Sequence, residues 1–131
     1  MKKLISICFV AAMFGSAHAS AAEFKISFQW LESSRCSGGF PDREKNPKFI
    51  LENVPEGTAV IKFVMNDRDA PNFYHGGGSV KFTGQSAIES GAFKYKGPCP
   101  PFTHTYVWTA TAKDASGKTL GRAKAKRNFP E

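Results

Sequence analysis

The sequence predicts a mostly β domain, an antiparallel sandwich or barrel-like arrangement, and three observations carry that reading. Phe24 to Trp30 and Thr103 to Ala112 each alternate with a period of two, which places successive side chains on opposite faces of a strand. Val60 to Met65 is an almost unbroken run of β-branched and aromatic residues, too short for a helix. No internal repeat, linker or long helical period interrupts them, and the intervening segments are rich in Gly and Pro.

Residues 1–22 are expected to be a secretory leader. Lys2 and Lys3 give a basic start, Leu4 to Phe14 is apolar, and Ala17-His18-Ala19 or Ser20-Ala21-Ala22 fits a small-residue cleavage site. Residues 23–131 would then form one domain, exported to the periplasm or secreted. The apolar segment of the leader is too short to span a bilayer, and no later segment is long enough, so no stable membrane insertion is expected. Loss of the leader leaves 16 basic against 11 acidic residues, a net +5. That excess suits an anionic ligand or surface. No basic recognition helix or RNA-binding aromatic signature points to nucleic acid. Cys8 departs with the leader, and Cys36 and Cys99 remain, an even pair in an oxidising compartment. A disulfide is the expectation, closing a loop of roughly 60 residues worth ~4 kcal/mol in the chain-entropy model.

In order, the first strand turns Phe24, Ile26, Phe28 and Trp30 to one face and Lys25, Ser27 and Gln29 to the other. Glu32 to Lys48, with its glycines, prolines and charges, reads as loop. Phe49 to Leu51 is a short apolar run. Val54-Pro55-Glu56-Gly57-Thr58 reads as a turn with Pro55 in its second position and Gly57 relieving a positive φ. Val60 to Met65 reads as a strand covered on both faces, stopped by Asn66. Gly76, Gly77 and Gly78 mark a backbone that bends sharply or passes close to something. Ser79 to Thr83 alternates, Gly84 to Gly91 reads as loop, and Phe93 and Tyr95 lead into Gly97-Pro98-Cys99-Pro100-Pro101, where three prolines exclude helix and central strand. The second strong strand sets His104, Tyr106 and Trp108 on one face. Asp114 to Gly117 makes a turn. In Leu120 to Arg127, Ala123 and Ala125 point inward and Arg122, Lys124 and Lys126 outward. An edge strand with a lysine-rich rim that blocks edge pairing is preferred there over an anion-binding patch.

The chemistry gathers just past the core strand, at Asp67, Asp69 and His75, and again at His104 and Tyr106. Rigid elements often display binding groups on such loops. Two imidazoles and a phenol offer donors to a phosphate or carboxylate, and an adjacent acid fixes a histidine tautomer or pairs with the ammonium of a zwitterion. The same residues also fit plainer roles: His104 as a packed strand histidine, Asp67 and Asp69 as turn formers. A thiol nucleophile at Cys99 and a metal site from Asp67, Asp69, His75 and His104 are weighed and set aside. No Gly-x-Ser-x-Gly, His-Glu-x-x-His or paired-carboxylate signature for hydrolysis is present, so no catalytic residue and no cofactor is expected.

Three segments carry a family resemblance: Asn46-Pro47 through Val54-Pro55-Glu56-Gly57-Thr58, Asp67-Arg68-Asp69-Ala70-Pro71 with His75, and Gly97-Pro98-Cys99-Pro100-Pro101 with His104 and Tyr106. In order and rough spacing they resemble the phosphatidylethanolamine-binding protein family and its Raf-kinase-inhibitor-like bacterial members, over residue 36 to the end. The sequence departs from the family at Arg68, Gly76 and Thr105, where the family has proline, tryptophan and arginine. The stretch from His75 to Gly97 is shorter than in larger members, and their C-terminal helix is missing. The resemblance implies an antiparallel β-sandwich with few short helices. It implies a small anion pocket lined by Asp67, Asp69, Pro71, His75, Gly97, Pro98, His104 and Tyr106, holding phosphate or a phosphoethanolamine-like group. The expected function is therefore a non-enzymatic binding protein. The alternative is a protein-interaction module, such as a protease inhibitor or a modulator of envelope or host proteins, with a vestigial pocket.

Overall fold

The structure, a computed structural model, describes residues 15–16, 19–32 and 43–131; most of the expected leader, and Cys36, lie outside them. Among the described residues the strands run β1 (Lys25–Phe28), β2 (Arg43–Lys45), β3 (Phe49–Glu52), β4 (Val60–Asp67), β5 (Gly77–Lys81), β6 (Ala87–Ile88), β7 (Lys94–Lys96), β8 (His104–Lys113) and β9 (Thr119–Phe129), with no helix. All pair antiparallel, in sheets of order β1-β3-β6, β2-β7 and β5-β4-β8-β9.

Alternation builds the sandwich. β1 and β3 send Ile26, Phe28, Phe49 and Leu51 inward; β4 and β8 answer with Ile61, Phe63, Met65, Trp108, Ala110 and Ala112. Phe49 joins the two layers, stacked on Phe63 at 4.5 Å between centroids and edge-on to Trp108 at 5.2 Å. Such pairs add about 1 kcal/mol beyond their buried area. The small residues Ala110, Ala112 and Ala123 let the large rings opposite them fill the layer.

Several expectations are corrected. β4 is not covered on both faces: Lys62 and Asn66 are exposed, and Val60 and Val64, which alternate with them on that face, are half-buried. Asn66 does not end the strand, because it points outward while its backbone pairs with Val107, and the ladder continues to Asp67 opposite Tyr106. β2 and β6 lie in segments read as loops. Arg43, Glu44 and Lys45 have no apolar alternation, and their partners Lys96, Tyr95 and Lys94 make them a strand. Thr58 N–H donates to Pro55 O at 3.3 Å, so Pro55 takes the first turn position rather than the second, and Gly57, at φ 84, the third.

One buried side chain staples the loops behind the core. The Asn46 amide donates to Pro47 O at 2.7 Å and Glu89 O at 3.1 Å, and its oxygen accepts from Gly91 N at 3.1 Å and Phe93 N at 2.9 Å. Asn46 is fully buried, and both ends of its amide are satisfied. Phe93, positioned this way, packs over the glycine run. A Cβ added at Gly78 would lie 2.4 Å from its ring, and one added at Gly77 would lie 1.9 Å from Phe63 O, so the close backbone approach expected here is real.

Gly77→Ala should therefore cost about 3 kcal/mol or more, because backbone is what the methyl meets. Gly84→Ala, with positive φ but open space around it, should cost about 1 kcal/mol. Urea unfolding of the two variants checks the difference.

Candidate functional site

β4 ends on an acid. Asp67 keeps the inward alternation of Ile61, Phe63 and Met65 and is 3% exposed. A buried carboxylate is costly unless its oxygens are bonded. Here Oδ2 accepts from His104 Nδ1 at 2.6 Å, and Oδ1 accepts the backbone N–H groups of Asp69 at 2.8 Å and Ala70 at 3.2 Å. Strand register supplies the partner: Asp67 lies opposite Tyr106, and His104 shares its face two residues earlier on β8. Burial pushes the Asp67 carboxyl up. The His104 hydrogen bond and the two amides outweigh burial and hold it below its ordinary 3.8.

The turn after Asp67 grips β8 through the backbone. Asp69 Oδ2 accepts from Thr105 N at 2.7 Å, and Arg68 N donates to Thr105 O at 2.9 Å. Asp67, Asp69 and His104 thus present oxygen and nitrogen atoms within 4.8 Å of one another. These atoms are already spent on each other and on the Thr105 amide, which fits a hydrogen-bonded cluster rather than a cation cage.

His75 reaches the same place from the far end of that connection, just before β5. Its Nδ1 is 2.8 Å from Lys96 O, and Lys96 N donates back to His75 O at 2.8 Å, so the segment before the prolines positions it. Its ring stands edge-on to Tyr106 at 5.4 Å, and Tyr106 lies 6.3 Å from the His104 ring. Burial lowers the His75 pKa below 6.5, against the opposing pull of Lys96 O, so the ring is neutral at pH 7. Burial and the Asp67 carboxylate raise the Tyr106 pKa, which keeps its hydroxyl protonated.

The tautomers decide what these rings offer. Lys96 O and the ionised Asp67 can only accept, so Nδ1 of each imidazole carries the proton. In a neutral ring Nε2 is then a lone pair. Neither neutral imidazole donates to an anion, as the residue types alone suggested. With Nδ1 protonated, a neutral ring offers Nε2 as an acceptor for an N–H or O–H donor.

The structure brings together Asp67, Asp69, His75, His104 and Tyr106. Pro71 is exposed in the turn between Asp69 and His75, while Gly97 and Pro98 are buried just after Lys96. The sequence reading missed Arg43, Lys94 and Lys96, which with Tyr74, Gly76, Gly77 and Tyr95 line a hollow of about 120 Å³ beside His75. It also missed Glu44, which accepts from Tyr95 Oη at 2.7 Å and lies against Gly97. All these residues belong to β2 and β7 or their flanks, where no periodicity marks a strand. Exposed rings flank the cluster: Tyr74 at 76% and Phe102 at 67%, with Phe102 4.9 Å from His104 and Phe73 4.6 Å from His75. Cys99 is not a free thiol, and its expected partner Cys36 lies outside the described residues.

No protein-family model matches the chain, and no curated protein matches it. Solved structures do. A homologue of phosphatidylethanolamine-binding protein from Chlamydia trachomatis superposes with a TM-score of 0.61 at 16% identity, over 83% of this chain and 98% of that one. YbcL of E. coli, described as a member of the mammalian PEBP family, superposes with a TM-score of 0.62 at 17% identity, over 82% and 98%. The chain therefore has a PEBP-like fold, mostly antiparallel β, as expected.

The lowered pKa values of His75 and Asp67 predict a loss of stability in acid. A depressed folded-state pKa contributes stability above the unfolded value and loses it as pH falls through the folded one. The melting temperature should hold above pH 6.5, decline first as His75 protonates, and decline again below pH 3.8 as Asp67 protonates. His75→Gln should remove the upper step. Asp67→Asn should cost about 2 kcal/mol at pH 7. Thermal melts across pH check both.

Proposed function

We propose that this chain is a non-enzymatic, exported member of the phosphatidylethanolamine-binding protein family that holds a small phosphate-like or zwitterionic group. The observation that carries the reading is the convergence of two loops on His75. On one side stand Tyr106 and the Asp67–His104 pair; on the other is the hollow lined by Arg43, Lys94 and Lys96. Three cations suit an anionic group. Nε2 lone pairs suit a P–OH or ammonium on the same ligand. A phosphoethanolamine-like molecule satisfies both demands, and a fully ionised carboxylate only the first. The rigid proline loop and the Asp69–Thr105 lock keep the walls in place, which lowers the ordering cost of binding.

The interaction-module reading is favoured by one observation, the exposed rings of Phe73, Tyr74 and Phe102 beside the cluster. Aromatic side chains in such positions are frequent centres of protein interfaces. On this reading the pocket is vestigial, and Tyr74→Ala combined with Phe102→Ala abolishes partner capture from an envelope extract.

Calorimetry with phosphate and with phosphoethanolamine tests the leading proposal. Wild type should bind phosphoethanolamine, with affinity at least about tenfold weaker in His104→Ala and in Lys96→Gln. Negligible heats for wild type with both ligands would overturn it. The companion proposal, a Cys36–Cys99 bridge, predicts a linked peptide pair in a non-reducing digest that separates on reduction. Two alkylated peptides without reductant would refute the bridge.

A further inference from the structure

The outer face of the four-stranded sheet carries cations and no acids. Strand register defines that face. Val60, Lys62, Val64 and Asn66 of β4 lie opposite Lys113, Thr111, Thr109 and Val107 of β8. Thr111, Thr109, Val107 and Thr105 lie opposite Arg122, Lys124, Lys126 and Asn128 of β9. Lys81 and Ser79 of β5 lie opposite Val60 and Lys62. Lys62, Lys81, Lys113, Arg122, Lys124 and Lys126 therefore project from one surface, their neighbours being Ser, Thr, Val and Asn.

Three features separate this array from an ordinary solvated face. First, none of the six joins an ion pair among the described residues; Arg127, on the inner face, is the one paired with Glu131. Second, no two cations sit directly opposite each other. Each meets a neutral residue across the ladder, so the charges are spread without direct repulsion. Third, Lys62 and Lys113 stand on the two central strands, which have no open edge. Protection against edge pairing accounts for Lys124 and Lys126 on β9 and Lys81 on β5, and leaves these two unexplained.

We propose that this face docks on the surface of a bilayer containing anionic phospholipid. Same-face residues along a strand are about 7 Å apart, and neighbouring strands about 5 Å apart. The six charges thus cover a plane on the order of 10 by 20 Å. A linear polyanion would be met by one row such as Arg122, Lys124 and Lys126, leaving the cations of β4, β5 and β8 idle. A planar array of lipid phosphates meets all of them. None of the exposed rings, Phe73, Tyr74 and Phe102, belongs to these strands, so the face lacks the stacking platform single-stranded nucleic acid requires.

Vesicle co-sedimentation tests the proposal on the folded chain. Wild type should bind vesicles of phosphatidylglycerol mixed with phosphatidylcholine, fail to bind pure phosphatidylcholine, and dissociate as salt is raised. Lys62→Gln combined with Lys124→Gln and Lys126→Gln should weaken binding by about a hundredfold. These side chains are exposed, so the fold should persist, as an unchanged melting temperature would verify. Lys25→Gln with Lys48→Gln, outside this sheet, should bind as wild type does. Equal binding to neutral vesicles, no effect of the triple substitution, or retention on heparin or single-stranded DNA without vesicle binding would each overturn it.

Discussion

A carboxylate inside a sandwich must be answered by donors, and Asp67 is answered from two directions. His104 comes from the neighbouring strand, and two amides come from the turn that follows. Remove either and a charge is left in a low-dielectric interior, where an uncompensated ion is untenable. The requirement fixes the register of β4 against β8 at its last rung, bends the chain immediately after, and brings Asp69 onto Thr105. The site's geometry is thus a consequence of burying one acid. The turn is shaped to satisfy Asp67, and the residues around it inherit their places.

Much of this was legible in the chain. The alternation of β1 and β8, the inward set of His104, Tyr106 and Trp108, and the tight glycine passage follow from period and residue type, and the structure has them all. The convergence of Asp67, Asp69 and His104 was readable only because motif order fixed which loops meet. What escaped was whatever depends on a partner. Arg43-Glu44-Lys45 becomes a strand because Lys94-Tyr95-Lys96 offers it an edge, and nothing in three charged residues announces that. The role of Lys96 toward His75 uses its carbonyl, which every residue possesses, so its side chain gave no clue. β4 runs past its expected end for a related reason. Asn66 and Asp67 are poor strand formers that remain in the ladder because one faces water and the other is fully hydrogen-bonded.

The four-stranded sheet has two unlike sides. Inward it is aromatic and aliphatic, closed against β1 and β3, with its polar exception at the Asp67 end. Outward it is cationic and rich in threonine. The asymmetry arises from a period-two sequence laid on one sheet, so a single register error would exchange core for surface along a whole strand. The long β8–β9 ladder is broken by an irregularity only at Ala112/Lys113, next to the turn that Asp114 closes by accepting from Ser116 and Lys118. Any slip is thereby confined to the tip.

Asn46 has a durability that its surroundings explain. Asparagine ages when the nitrogen of the next residue attacks the side-chain amide, and proline, lacking that N–H, cannot serve. Since Pro47 follows, the residue that stitches 89–93 to the rear of the core is shielded chemically from the conversion its geometry could least bear. An aspartate there would lose both donations, to Pro47 and Glu89, while leaving a charge in a fully enclosed position. The Asn-Pro dipeptide thus confers longevity on the scaffold as well as shape.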